Sequence, residues 1–212
     1  MVEFDPASQW YNASLTITAG WLECGGGVSY SVSSQPPETV RVKLKRLGLN
    51  VDSFEKDEKL RIWDWYTVTL GQKSKEKFAI ASLRVSDLSI FYSQQQIRGP
   101  PIPHRLDLID DGSVLARFNE EKSWVEFLLS RIYPMAKTRK STIIVSVIKG
   151  VHSDWAYKRL EAAADGIIDF KLEDTGEATK DLIRIRSMRD LGFDRKWHSL
   201  NVGDRLDVTL EK

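Results

Sequence analysis

Two spacings of apolar residues recur along this chain, one at every second position and one at every third to fourth. Val2–Phe4 reads as a short first strand before the turn signal Asp5-Pro6. Between Trp10 and Glu23, Leu15, Ile17, Ala19, Trp21 and Leu22 fit a mostly buried helix. Leu15-Thr16-Ile17-Thr18 alone would equally suit a strand. The run Gly25-Gly26-Gly27 stops this element, since its backbone reaches the positive φ that a helix C-terminus uses. Val28–Val32 alternates as a strand. Pro36-Pro37-Glu38 then opens a helix carrying Val40, Leu44 and Leu47, closed by Gly48. Leu60–Trp63 is a third strand candidate.

From Asp64 to Arg98 the pattern is mixed, ending in the polar run Gln94–Gln96, and Pro100, Pro101 and Pro103 form a stiff lead into the next element. Leu106–Asp110 is a short apolar strand ending in acid, and Trp124, Leu128 and Ile132 mark one face of a helix starting near Asn119. Thr142–Ile148, rich in β-branched residues, gives the clearest buried strand. Asp154–Ala164 reads as helix and Ile167–Leu172 as strand. Leu182–Ile185 and Leu206–Leu210 read as antiparallel strands. Strands and helices that alternate, then a β-rich tail, imply an α/β fold with a mostly parallel sheet between helices.

A length of 212 residues suits one domain spanning 1–212, large enough to bury roughly 70% of the surface its unfolded chain exposes. The 42% apolar and 29% charged residues are ordinary for a globular protein, and a net charge of +1 gives no general attraction to nucleic acid or anionic lipid. Cys24 is the only cysteine, so no intramolecular disulfide can form. The first residues, MVEFDPASQWYNAS, carry neither a basic start nor an apolar signal core, and no run approaches a membrane span. A cytoplasmic location is the expectation.

Three stretches together resemble the KaiC-type branch of the RecA superfamily. AGWLECGGGVSYSVSSQPPETVRVKLKRLGLNV is similar to the family's helix, glycine turn, second strand and following helix. RLDLIDDGSVLARF is similar to its acid-terminated Walker B strand. AADGIIDFKLEDTGEATKDLIRIRSMRD is similar to its late strand and Arg/Lys-bearing hairpin. The resemblance implies a RecA-like three-layer domain with antiparallel strands at its C-terminal end, and a nucleotide site at the strand ends.

Against that family pattern, the phosphate-binding loop aligns with Phe4–Tyr11. Phe4 and Gln9 then stand where the glycines of G-x-x-x-x-G-K-[ST] would be, Trp10 at the lysine and Tyr11 at the hydroxyl residue. No lysine or arginine precedes Arg41, so a shift in alignment supplies no cation. The one other source would be a loop upstream of Met1, which that methionine argues against. An indole offers a phosphate no charge, and Asp5 would repel it. Trp10 in that position can instead fill the phosphate cavity. The family's water-polarising glutamate falls in Ser33–Pro36, where no carboxylate precedes Glu38. Asp110 matches the Walker B aspartate. With Asp111 it could bind a cation or cap a neighbouring turn. In the hairpin, Ser187 and Arg189 match a Lys-x-Arg pair that reaches a neighbouring subunit's nucleotide in the family, so only the arginine survives.

These departures imply a pseudo-ATPase without ATP or Mg²⁺ as cofactor, acting through a protein partner or homo-oligomer. The alternatives are nucleotide binding with little hydrolysis, or a DNA-associated accessory. Arg184, Arg186 and Arg189 form the candidate interface, the first two on one strand face where they could meet acids of a partner. His104, His152 and His198 lack metal-ligand spacing with one another or with Cys24, so no metal site is expected. His152-Ser153-Asp154 cannot adopt triad geometry as consecutive residues, and Ser153 reads as a helix N-cap. Trp21, Trp124 and Trp155 are expected in the core. The basic runs Arg41–Arg46 and Lys137–Lys140 are expected to be solvated helix faces or ends.

Overall fold

The fold comes from a computed structural model, which describes residues 1–95, 104–176 and 178–211. Gln96, Arg98 and the prolines at 100, 101 and 103 lie outside the described residues.

The first strand, β1 (Val2–Phe4), leads through loop 5–9 into α1 (Trp10–Glu23), and β2 (Gly27–Val32) follows the glycine turn. Next come α2 (Pro37–Arg46), α3 (Val51–Lys56), β3 (Leu60–Asp64), the short α4 (Tyr66–Thr69) and α5 (Val85–Gln95). Beyond the undescribed segment lie β4 (Arg105–Ile109), a 3-10 turn (Gly112–Arg117), α6 (Glu121–Phe127), a π-helical stretch (Leu128–Ile132) and α7 (Tyr133–Arg139). The chain ends with β5 (Thr142–Ile148), α8 (Asp154–Ala163), β6 (Gly166–Asp174), β7 (Thr179–Met188), β8 (His198–Val202) and β9 (Val208–Leu210).

Among the described residues nine strands form one mixed sheet, in the order β3-β2-β4-β5-β1-β6-β7-β8-β9. The six strands from β3 to β6 run parallel, and β6 to β9 pair antiparallel. β1, β2 and β3 are buried along their whole length, as parallel strands covered on both faces must be. On one face Val28, Tyr30, Ile62 and Leu108 pack against Leu15, Leu22, Val40 and Leu44 of α1 and α2. On the other, Trp63, Ile109, Val145 and Val147 pack against Leu88, Trp124, Leu128 and Leu160. This is the expected mostly parallel α/β architecture with an antiparallel C-terminal end.

The sequence between Trp10 and Glu23 is helix rather than strand, and Gly25, at φ +86°, terminates it. Several details differ from the sequence expectation. The fourth strand stops at Ile109, leaving Asp110 just beyond it, and the helix expected from Asn119 begins at Glu121. Trp124 is fully buried, but Trp155 is 41% exposed and is not a core residue. It stands one position before Ala156, which with Leu160 forms the buried face of α8, so the helix turns its indole outward.

Candidate functional site

The carboxyl ends of β1, β2, β4 and β5 converge where open α/β sheets place their ligands. Trp10, Ser33, Ser34, Asp110 and Ser146 meet there.

Trp10 opens α1 and is fully buried. Its indole Nε1–H donates to the Asp110 carbonyl at 2.8 Å and to Ser146 Oγ at 3.0 Å. The ring packs on Phe170 with centroids 5.4 Å apart and on Phe4 at 6.1 Å. Phe4 is buried at the end of β1, with Tyr11 edge-on to it at 5.3 Å. Burial and the charges of Asp111 and Asp110 hold the Tyr11 phenol protonated well above its ordinary range. Gln9 stands just before α1, where its Oε1 accepts from Asn12 Nδ2 at 2.8 Å. The preceding loop is held by its own contacts: Asp5 N–H donates to the Phe170 carbonyl at 3.2 Å, and Ser8 Oγ–H donates to the Asp5 carbonyl at 2.7 Å.

Asp110 has no exposed surface. Its Oδ1 accepts from Ser33 N at 2.8 Å and Ser33 Oγ at 3.0 Å, and its Oδ2 accepts from Ser34 Oγ at 2.5 Å. Burial raises its pKa, opposed by the Ser34 and Ser33 hydrogen bonds. The carboxylate therefore clamps the end of β2 to the end of β4. Asp111 caps the 3-10 turn, its Oδ1 accepting from Ser113 N at 2.9 Å. Gly112 lets this turn pass close over β5, since a Cβ there would lie 3.0 Å from the Ser146 carbonyl. Of the two roles open to the pair of acids, each makes contacts of the capping and clamping kind. Among the described residues no group of three or more His, Cys, Asp or Glu side chains could hold a metal ion.

Burial, then the charge of Asp110, pushes the Asp111 carboxyl up to about 6. A raised acid pKa means the folded state binds the proton more tightly than the unfolded state. The stabilisation is then complete below the ordinary value of 3.8 and is lost as pH rises towards about 6. Asp111→Asn keeps a capping oxygen and removes the ionisation. Between these pH values its melting temperature is expected to fall less than that of the wild type, and parallel pH profiles would overturn this assignment.

Glu38 lies in the first turn of α2, bonded to Arg41 at 3.4 Å and distant in role from the strand ends. His152, rather than Ser153, forms the contact of hydrolase type: its Nε2 lies 2.8 Å from Ser113 Oγ and its Nδ1 3.7 Å from Glu121. Ser113 is buried, however, and its Oγ also accepts from Ile148 N at 2.9 Å. This constellation fastens the 3-10 turn to β5 and offers no accessible nucleophile. Ser153 caps α8, accepting from Ala156 N.

Arg184 and Arg186 do share a face of β7, but the acids they meet belong to this chain. Arg184 Nε donates to Asp169 Oδ2 at 2.7 Å across β6. Arg186 pairs with Glu3, with Glu161 at 2.8 Å and with Asp169 at 3.4 Å. Burial drives the Glu3 carboxyl up to about 7 against the pull of Arg186. Arg189 Nη2 donates to the Ala162 carbonyl at 2.5 Å and remains half exposed, while Ser187 pairs with Ile167 across β6. Sequence reasoning missed Ser33, Ser34, Ser146 and Asp169. Ser146 carried a signal, as a polar residue inside the β-branched run of β5.

The nine-stranded sheet and its buried aspartate at the end of β4 define a RecA-type α/β protein. A family model described as "ATPase: KaiC" matches residues 18–210, so the chain belongs to the KaiC ATPase family. Among solved structures, a KaiC-like protein from the hyperthermophilic archaeon Pyrococcus horikoshii OT3 superposes with a TM-score of 0.71 at 18% identity, covering 100% of this chain and 88% of the other. An uncharacterized Pyrococcus horikoshii protein, crystallised in complex with an unknown peptide, gives a TM-score of 0.72 at 12% identity, covering 99% of this chain and 90% of the other. No curated protein matches the sequence.

Proposed function

We propose that this KaiC-family chain is a pseudo-ATPase, a cytoplasmic regulatory or scaffolding protein that works by assembling with a protein partner or with itself. The observation that carries the reading is the Trp10 indole, locked by two hydrogen bonds at the position aligned with the phosphate-binding lysine. A nucleoside triphosphate with Mg²⁺ does not fit the residues present. Loop 5–9 brings an acid and no cation, and the N–H of Ser8 already bonds to the Asp5 carbonyl at 2.9 Å. Asp110, the Walker B match, has both oxygens engaged by Ser33 and Ser34. With no hydrolytic machinery, the remaining use of the fold is recognition. The peptide bound by the Pyrococcus protein is a precedent for that use in a related architecture.

Isothermal titration with ATP·Mg²⁺, run beside a thermal-shift scan, tests the proposal. No binding heat and no melting shift at millimolar nucleotide are expected. Saturable binding would overturn it.

A further inference from the structure

The sheet order places β1 between β5 and β6, but both neighbours extend further back than β1 does. From Val2 onward β1 pairs with Ser146–Ile148 on one side and with Ile168–Phe170 on the other. β5 starts earlier, at Thr142, and β6 starts earlier, at Gly166. Met1 carries the pairing with β6 one step on. Its nitrogen donates to the Gly166 carbonyl at 2.8 Å, and its carbonyl accepts from Ile168 N at 3.0 Å. Next to Met1, in line with β1, the two outer strands flank a cavity of about 620 Å³.

The walls of this cavity are of two kinds. Side chains line its faces: Leu129, Tyr133 and Ala163 from the helical layer, and Ile144, Ile168 and Met188 from the strands. Its long edges are backbone. Lys149 N donates to the Phe4 carbonyl at 2.9 Å, so Lys149 turns its main-chain groups towards β1. By alternation Val147, Val145 and Ile143 do the same. The β1 register begins opposite Ser146. Ile143 therefore presents an N–H and a C=O to the cavity, where no described strand lies beside it. On the facing edge, the carbonyl that Gly166 offers to Met1 shows which way that residue's N–H also points. β5 and β6 each pair with β1, so they stand two strand spacings apart, about 9.5 Å. The gap is one strand wide.

We propose that this gap receives an extended peptide segment of a partner protein, which adds a strand in line with β1 between β5 and β6. An apolar groove alone would take many ligands, but main-chain groups along both edges select a strand. Thr142–Val145 spans about 13 Å, room for four residues. The side chains of the segment must alternate between two apolar faces, so they are uncharged, and β-branched residues suit them. Such a segment belongs to the protein partner of the reading above, on which this assignment rests. Trp10 and Asp110 lie at the opposite ends of the strands, so the ATP·Mg²⁺ titration and a peptide titration fail independently.

The probe is a capped peptide of four alternating valine and alanine residues, with a serine at each end for solubility. Its readouts are hydrogen exchange at the Ile143 amide and the melting temperature. In the wild type, exchange at Ile143 should slow about tenfold at roughly ten times the Kd, with a saturable rise in melting temperature. The same peptide N-methylated throughout keeps its side chains, loses its N–H groups and should give neither effect. Ile143→Pro removes the donor that faces the gap and spares the ladder to β4, so it should abolish the melting shift. Should that variant fail to fold, Ala163→Phe, which fills the gap from the helical side, should abolish it instead. An Ile143 amide that exchanges unchanged, or equal protection by the methylated peptide, would overturn the site.

Discussion

Trp10→Ala is expected to destabilise the protein by about 3–5 kcal/mol, the usual cost of truncating a fully buried indole. At this chain length that corresponds to a fall in melting temperature of roughly 6–20 °C. The ring joins Phe4 and Phe170, from two adjacent central strands, and its removal leaves a void between them. Trp10→Phe keeps most of the volume and loses the N–H bond. Because Ser146 Oγ still donates to the Asp110 carbonyl, this change should cost only about 1 kcal/mol. Neither variant should gain stabilisation from ATP·Mg²⁺, since emptying the pocket supplies no cation. Melting of Trp10→Ala at the wild-type temperature would mean that the indole does not fill the phosphate position in any structural sense.

Asp110→Ala should cost about 1–3 kcal/mol by chemical denaturation, because it leaves the buried Ser33 N–H without its acceptor. Removing a carboxylate whose ionisation burial disfavours offsets part of the loss, which keeps the figure moderate. Asp110→Asn should recover most of it. The amide oxygen can accept from Ser33, and its NH₂ can donate to the Ser34 hydroxyl. Magnesium should leave the wild type and both variants unchanged. If magnesium stabilised the wild type and not the variants, Asp110 would be a metal ligand and the serine clamp secondary.

The parallel half of the sheet was legible because its strands are short apolar runs bounded by strong turn residues. β5 matched its expected span of Thr142–Ile148 for that reason. α5 was not legible. Its apolar residues do not confine themselves to one face, and Ile90 is 59% exposed. The helical run through Trp124, Leu128 and Ile132 continues past Pro134, which falls in the first turn of α7. β8, with the sequence HSLNV, alternates too weakly to be seen and owes its conformation to pairing with β7 and β9. At the candidate site, Asp110 and Trp10 were identified through family resemblance. The serines that saturate the aspartate were invisible, because serine in a loop after a strand carries no distinctive pattern. The arginines of β7 were placed on the correct face, but not their partners: Glu3 comes from the distant β1, and Asp169 is set opposite Arg184 by the register of the β6–β7 hairpin.

The position of β1 has a consequence for how the chain reaches this state. Its three residues are made long before β5 and β6, yet they sit between those strands and hydrogen-bond to both. β6 ends at Asp174, so at about 5–20 residues per second the first strand waits roughly 10–35 seconds for its second neighbour. Until then Phe4 and Trp10 have no Phe170 to cover them, and the nascent chain carries an uncovered aromatic pair.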